Sequence, residues 1–123
     1  MAKKILLIED DSDVREALKL RIEADGFEVA QAGDGEEGLT VYEREKPNLI
    51  ILDTGMPKMD GFTFVKVFKS KYSLEETPIL VLTGRSGMRE LFELEGVRAF
   101  LTKPCNGEDL VEKIKSILES RIN

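Results

Sequence analysis

Four short apolar runs of this chain each lead into a residue that can do chemistry. Ile5-Leu6-Leu7-Ile8 runs into Glu9-Asp10, Leu49-Ile50-Ile51-Leu52 into Asp53, Ile79-Leu80-Val81-Leu82 into Thr83, and Val97 to Leu101 into Lys103-Pro104. Brought together, three carboxylates repel one another and raise each other's pKa, and a bound divalent cation relieves that repulsion. Oxygen donors without imidazole or thiolate suit magnesium or manganese, magnesium ahead of manganese. A carboxylate beside such a metal can attack phosphorus and form an aspartyl phosphate. The metal and a lysine would then neutralise the transferring group, while a hydroxyl hydrogen-bonds one of its oxygens.

For these groups to meet, the elements that carry them must share one edge. The apolar runs are short and do not alternate, which is the pattern of strands buried on both faces of a parallel sheet. Phe27 to Ala32 is a weaker run of the same kind. Between the runs lie helical patterns. Val14, Ala17, Leu18 and Ile22 follow the Asp11-Ser12 cap and stop at Gly26, and a more polar helix over 34–46 ends before Pro47. Asp60 caps a third helix carrying Phe62, Val65, Phe68 and Tyr72. A short, poorly amphipathic helix is expected over 86–95, and Leu110, Ile114, Ile117 and Leu118 define a fifth. Five βα units in series predict an open α/β sheet with helices on both faces, and residues 1–123 read as one domain. In such a sheet ligands bind outside the carboxyl ends of the strands, near the point where strand order reverses. Acids in these turns also have a plain structural use, and Asp11, Ser12 and Asp60 are explained as helix caps.

Composition narrows the function. The 123 residues are 41% apolar and 34% charged, with a formal net charge of −6. That is a globular domain whose acidity repels nucleic acid and anionic membranes, and no basic stripe offsets it. The absence of histidine excludes catalytic triads and histidine bases, and a single cysteine, Cys105, excludes an intrachain disulfide. No stretch reaches transmembrane length and the N-terminal apolar run is too short for a signal peptide, so a cytoplasmic protein is expected.

Four ordered motifs, Ile5-Leu6-Leu7-Ile8-Glu9-Asp10-Asp11, Leu52-Asp53-Thr54-Gly55-Met56-Pro57-Lys58-Met59-Asp60-Gly61, Leu82-Thr83-Gly84 and Phe100-Leu101-Thr102-Lys103-Pro104, resemble the receiver domain of two-component response regulators over essentially the whole chain. The resemblance implies a CheY-like, flavodoxin-like (βα)5 fold with strand order 2-1-3-4-5, an order the family is known for. It implies Asp53 as phosphoacceptor, Glu9 and Asp10 as the acidic pair holding Mg2+ with Asp53, and a metal contact from the Gly55 backbone carbonyl. Thr83 would be the switch hydroxyl, Lys103 the lysine that pairs with the phosphoryl group, and Phe100 the switch aromatic, with a cis bond between Lys103 and Pro104. The partners implied are a sensor histidine kinase or phosphotransfer protein as donor and a downstream protein target, with the chain a monomer or a phosphorylation-dependent dimer. Such a domain catalyses only its own phosphorylation and dephosphorylation and is not otherwise an enzyme. Two departures stand out. The Thr83 to Lys103 interval is short, with Arg85-Ser86-Gly87-Met88 a weak helix start, and Phe100 replaces the commoner tyrosine.

Rival readings are weaker. Asp53-Thr54-Gly55 is also the signature of aspartic proteases, but those need an all-β scaffold. Gly33-Asp34-Gly35-Glu36-Glu37-Gly38 fits a dinucleotide fingerprint, yet its acids would repel a pyrophosphate. An aspartyl-phosphate phosphatase of the haloacid dehalogenase class would want an acid where Gly55 stands. A receiver-like interaction module that is never phosphorylated is the alternative of a different class, set against an intact acid, hydroxyl and lysine set.

Overall fold

The computed structural model describes residues 2–54, 60–84 and 89–120. Strands and helices alternate along them: β1 (Lys4–Ile8), α1 (Ser12–Ala24), β2 (Glu28–Ala32), α2 (Gly35–Glu45), β3 (Leu49–Asp53), α3 (Gly61–Lys71), β4 (Ile79–Thr83), α4 (Arg89–Leu94), β5 (Ala99–Thr102) and α5 (Gly107–Ser120). The strands form one sheet in the order β2-β1-β3-β4-β5, parallel at every pairing, which is the flavodoxin-like order expected.

Side chains of a strand alternate between faces, and here both faces are covered. Leu6, Ile8, Ile50, Leu52, Val81 and Phe100 pack with Phe64, Val65 and Phe68 of α3 and Phe92 of α4. Ile5, Leu7, Leu49, Ile51, Leu80 and Leu82 pack with Ile22 of α1 and Leu110 and Ile114 of α5. The central strands β3 and β4 are buried at every position. Each such Leu, Ile or Phe removed from water stabilises the fold by roughly 1.5–3 kcal/mol. That is why runs without alternation become the strands that bear the site.

The turns between strands and helices are closed by side-chain caps. Asp11 accepts the N–H groups of Asp13 and Val14, Asp34 that of Glu37, Asp60 that of Thr63, and Asn106 that of Asp109. Each satisfies helix-start donors that would otherwise lack partners. Gly26 ends α1 with φ 96°, a conformation that favours glycine.

One local expectation is revised. Of the predicted α1 stripe only Ile22 is fully buried and Leu18 half-buried, while Val14 and Ala17 stand exposed. They precede the part of α1 that reaches the core formed with α5, so burial does not follow the helical period to the end of the helix. Lys66 and Lys69 stand exposed on α3, and both reach Glu95 just beyond α4, at 3.8 and 3.2 Å. The fourth helix is short, as expected, with Arg89–Leu94 described; residues 85–88, which include its expected start, lie outside the described residues. Among the described residues no helix is long and apolar enough to cross a membrane.

Gly38 shows how closely α2 lies on the sheet. A Cβ added there would sit 2.6 Å from Cδ1 of Ile8, 3.2 Å from its Cγ1 and 3.3 Å from Phe64, and both neighbours are fully buried. Helix propensity favours alanine over glycine by about 1 kcal/mol, while overpacking costs about 1–3 kcal/mol. Gly38→Ala is therefore expected to destabilise the fold by about 1 kcal/mol in denaturant unfolding, and adding Ile8→Val, which deletes Cδ1, to recover part of that loss.

Candidate functional site

The register delivers the chemistry-bearing residues to one edge. Ile8 pairs with Leu52, which puts Glu9 level with Asp53. Asp53 pairs with Leu82, and Thr83 with Thr102, so Lys103 follows directly beyond. The Lys103 N–H donates to the Thr83 carbonyl at 2.9 Å and extends the β4–β5 ladder by one step. The Lys103–Pro104 peptide bond is cis.

At that edge Glu9, Asp10 and Asp53 each offer a carboxylate oxygen, all within 4.8 Å of one another. Glu9 and Asp53 are buried, at 3% and 5% exposure, and Asp10 faces solvent. The Lys103 ammonium donates to Asp53 Oδ1 at 2.5 Å and stands 3.8 Å from Glu9 Oε1. Glu9 Oε2 accepts the Asp11 N–H at 3.2 Å, whereas Oε1 is buried without a hydrogen-bond partner. Thr83 is buried at the same edge, two residues after Val81, the register partner of Phe100. By strand alternation, Thr83 and Phe100 therefore lie on the same face of the sheet. Phe100 is turned inward at 9% exposure, edge-on to Phe92 at 6.4 Å, with the Arg89 guanidinium 4.8 Å from its ring centre. Gly55 lies outside the described residues.

The electrostatics follow from this crowding. Burial pushes the Glu9 carboxyl up to about 7, helped by the charge of Asp53 and by Asp10, against the opposing pull of the Asp11 N–H and Lys103. Burial lowers the Lys103 ammonium, but its hydrogen bond and ion pair with Asp53 outweigh that and hold it above its ordinary value. With all three acids ionised, one ammonium leaves two negative charges uncompensated. An orphaned buried oxygen, an all-oxygen donor set and two excess charges fit a hard divalent cation. Cys105 is no activated thiol, since burial and then Asp109 push it up. A groove of about 790 Å3 that includes Pro78, Ile79 and Ala99 lies at the opposite end of β4 and β5.

Two neighbours of the site were not singled out for a role by residue type. A Cβ at Gly61 would lie 3.0 Å from Thr54 Cα and 3.4 Å from the Asp53 carbonyl, so the start of α3 rests on the Asp53–Thr54 backbone. Arg15 donates from Nη1 to the Glu9 carbonyl at 2.7 Å. The only hint of the latter in the sequence is a cation in the helix that follows the acidic pair.

The sequence profile of the response regulator receiver domain matches residues 5–115. The chain belongs to the response regulator receiver family. Among its relatives, the alkaline phosphatase synthesis transcriptional regulatory protein PhoP of Bacillus subtilis is 36% identical over 120 residues, covering 96% of this chain and 49% of PhoP. The probable transcriptional regulator ycf27 of Porphyridium aerugineum is 36% identical over 118 residues, covering 94% of this chain and 48% of that protein. The receiver thus spans about half the length of these relatives. The chemotaxis protein CheY4 of Vibrio cholerae superposes with a TM-score of 0.89 at 31% identity, over 96% of this chain and all of that one. A CheY-like receiver domain protein of Methanospirillum hungatei gives 0.87 at 32% identity, over 98% and 97%.

The high Glu9 pKa has a signed consequence for stability. The folded state holds this proton more tightly than the unfolded chain does, where Glu9 has its ordinary value of 4.5. The stabilisation is complete below the unfolded value and is lost as pH rises through the folded one, a change on the order of 3 kcal/mol. Denaturant unfolding of the metal-free receiver is expected to show stability falling between about pH 5 and pH 8. Glu9→Gln should remove that fall and be the more stable protein at the upper end.

Proposed function

We propose that this receiver takes a phosphoryl group onto Asp53 from the phosphohistidine of a sensor kinase or phosphotransfer protein, with Glu9, Asp10 and Asp53 holding a magnesium ion and the Gly55 carbonyl as a further ligand. The observation that carries the reading is Asp53 itself. It is a buried carboxylate at the carboxyl end of the central strand, bound to the Lys103 ammonium and within 4.8 Å of two further acids. In the reaction an Asp53 oxygen forms a bond to phosphorus as the phosphorus–nitrogen bond of the donor breaks, and the nitrogen keeps the electron pair. When bound, the metal neutralises charge on the phosphoryl oxygens. Lys103 adds a second cation, and the Thr83 hydroxyl hydrogen-bonds one of those oxygens. Water later cleaves the aspartyl phosphate and resets the domain, so the receiver turns over no small substrate.

The output is a population shift. Closing Thr83 onto the phosphoryl group opens or fills space on the face it shares with Phe100, and so favours one placement of that ring. α4, β5 and α5 form the responding surface, where Leu91 and Leu94 stand exposed on α4. The partner there is a protein, since the net charge of −6 disfavours direct contact with nucleic acid. Residues 1–123 act as one domain, cytoplasmic, as a monomer or a phosphorylation-dependent dimer.

Intact-protein mass after incubation with acetyl phosphate tests the reading. The expected result is a gain of one phosphoryl group that requires magnesium and is absent in Asp53→Asn. No gain from acetyl phosphate or from a phosphohistidine donor, with magnesium bound, would instead favour an interaction module that is never phosphorylated.

A further inference from the structure

Arg15 is a site neighbour whose side chain grips the main chain of the acidic pair. Its Nη1 donates to the Glu9 carbonyl at 2.7 Å. That oxygen belongs to the planar peptide group joining Glu9 to Asp10, so holding it fixes the plane from which the Asp10 side chain departs. On the other side of Glu9 the N–H donates to the Ala32 carbonyl at 3.1 Å, so both peptide groups flanking Glu9 are tied down. Without the Arg15 bond, the Glu9–Asp10 plane could rotate, and Asp10 is solvent-exposed with little packing to hold it.

The space for the guanidinium is built by the turn after β2. A Cβ at Gly33 would lie 3.4 Å from Arg15 Nη1 and 3.5 Å from Glu37 Oε1, and Glu37 Oε1 accepts the Gly33 N–H. The end of β1, the start of α1 and the β2–α2 turn therefore meet at one half-buried arginine. A lysine would supply a point charge, whereas the guanidinium directs a planar fork of donors.

We infer that Arg15 is a positioning residue that orients the Glu9–Asp10 pair and thereby sets the affinity of the site for magnesium. The inference rests on the metal site proposed above. Loss of a group that orients metal ligands typically weakens metal affinity by about 10–100-fold.

The test is a magnesium chloride titration followed by the backbone amide shifts of residues 9–11 and 53, on the wild-type chain, Arg15→Ala and Lys19→Ala. Lys19 pairs with Glu23 on the same helix and serves as the control for a general effect on α1. Arg15→Ala is expected to bind magnesium about tenfold more weakly, with Lys19→Ala unchanged. Its rate of phosphorylation by acetyl phosphate should return to the wild-type rate at saturating magnesium, which a merely structural defect would not do. If Arg15→Ala does not fold, Arg15→Met, which keeps an aliphatic stem but no donor, carries the same expectation. Equal magnesium affinity in wild type and variant, a loss shared by Lys19→Ala, or a rate that saturating magnesium does not restore would each overturn the role. A wild-type chain that binds no magnesium would overturn the metal site itself, and this role with it.

Discussion

Three carboxylates share one edge of the sheet within 4.8 Å of one another, and much of the molecule is arranged to hold them there. At an effective dielectric constant near 20, two unit charges at that separation repel by roughly 3–4 kcal/mol. Folding must overcome this, and two local responses are visible. Lys103 binds Asp53, and Glu9 keeps its proton to an unusually high pH. The remaining opposition comes from the apolar interior. β1, β3 and β4 supply fully buried Leu, Ile and Val side chains directly beneath the acids, which fixes the strand ends against the repulsion between them. A site strained in this way is poised to gain from any cation that enters it.

The two faces of the sheet divide the work. On one, α1 and α5 cover β1, β3 and β4, and α1 sends Arg15 back to the acidic pair. On the other, α3 and α4 pack on the strands, and Phe92 with Arg89 surrounds Phe100. A ring held by edge-on contact and an overlying cation has no hydroxyl to anchor it, so its placement depends on packing and on Arg89. The Lys66 and Lys69 contacts to Glu95 tie the far end of the short α4 to α3, while its beginning, at Arg89, lies over the Phe100 ring.

Much of this was legible in the linear chain. Continuous apolar runs identify strands buried on two faces because only a parallel sheet covered by helices hides every side chain. Asp11 and Asp60 read as cap residues because a carboxylate before a helix satisfies donors one turn ahead, which is a local matter. The grouping of Glu9, Asp10, Asp53, Thr83 and Lys103 was legible for a similar reason. Each ends a strand or lies within two residues of a strand's end, and parallel strands in register deliver their ends to a common edge.

Period, local hydrogen bonding and the residues at the strand ends were therefore readable from the linear chain. Tertiary structure decided the rest, because burial and contact depend on what arrives from elsewhere in the chain. It left Val14 and Ala17 exposed on a helix whose pattern calls for them to be covered. It buried Glu9 and exposed its neighbour Asp10, separating two adjacent acids by environment. It turned Gly61 into the seat of α3 on Asp53 and Gly33 into the space beside Arg15. No local pattern announces these, since each is set by distances between residues far apart in the chain and close only after folding.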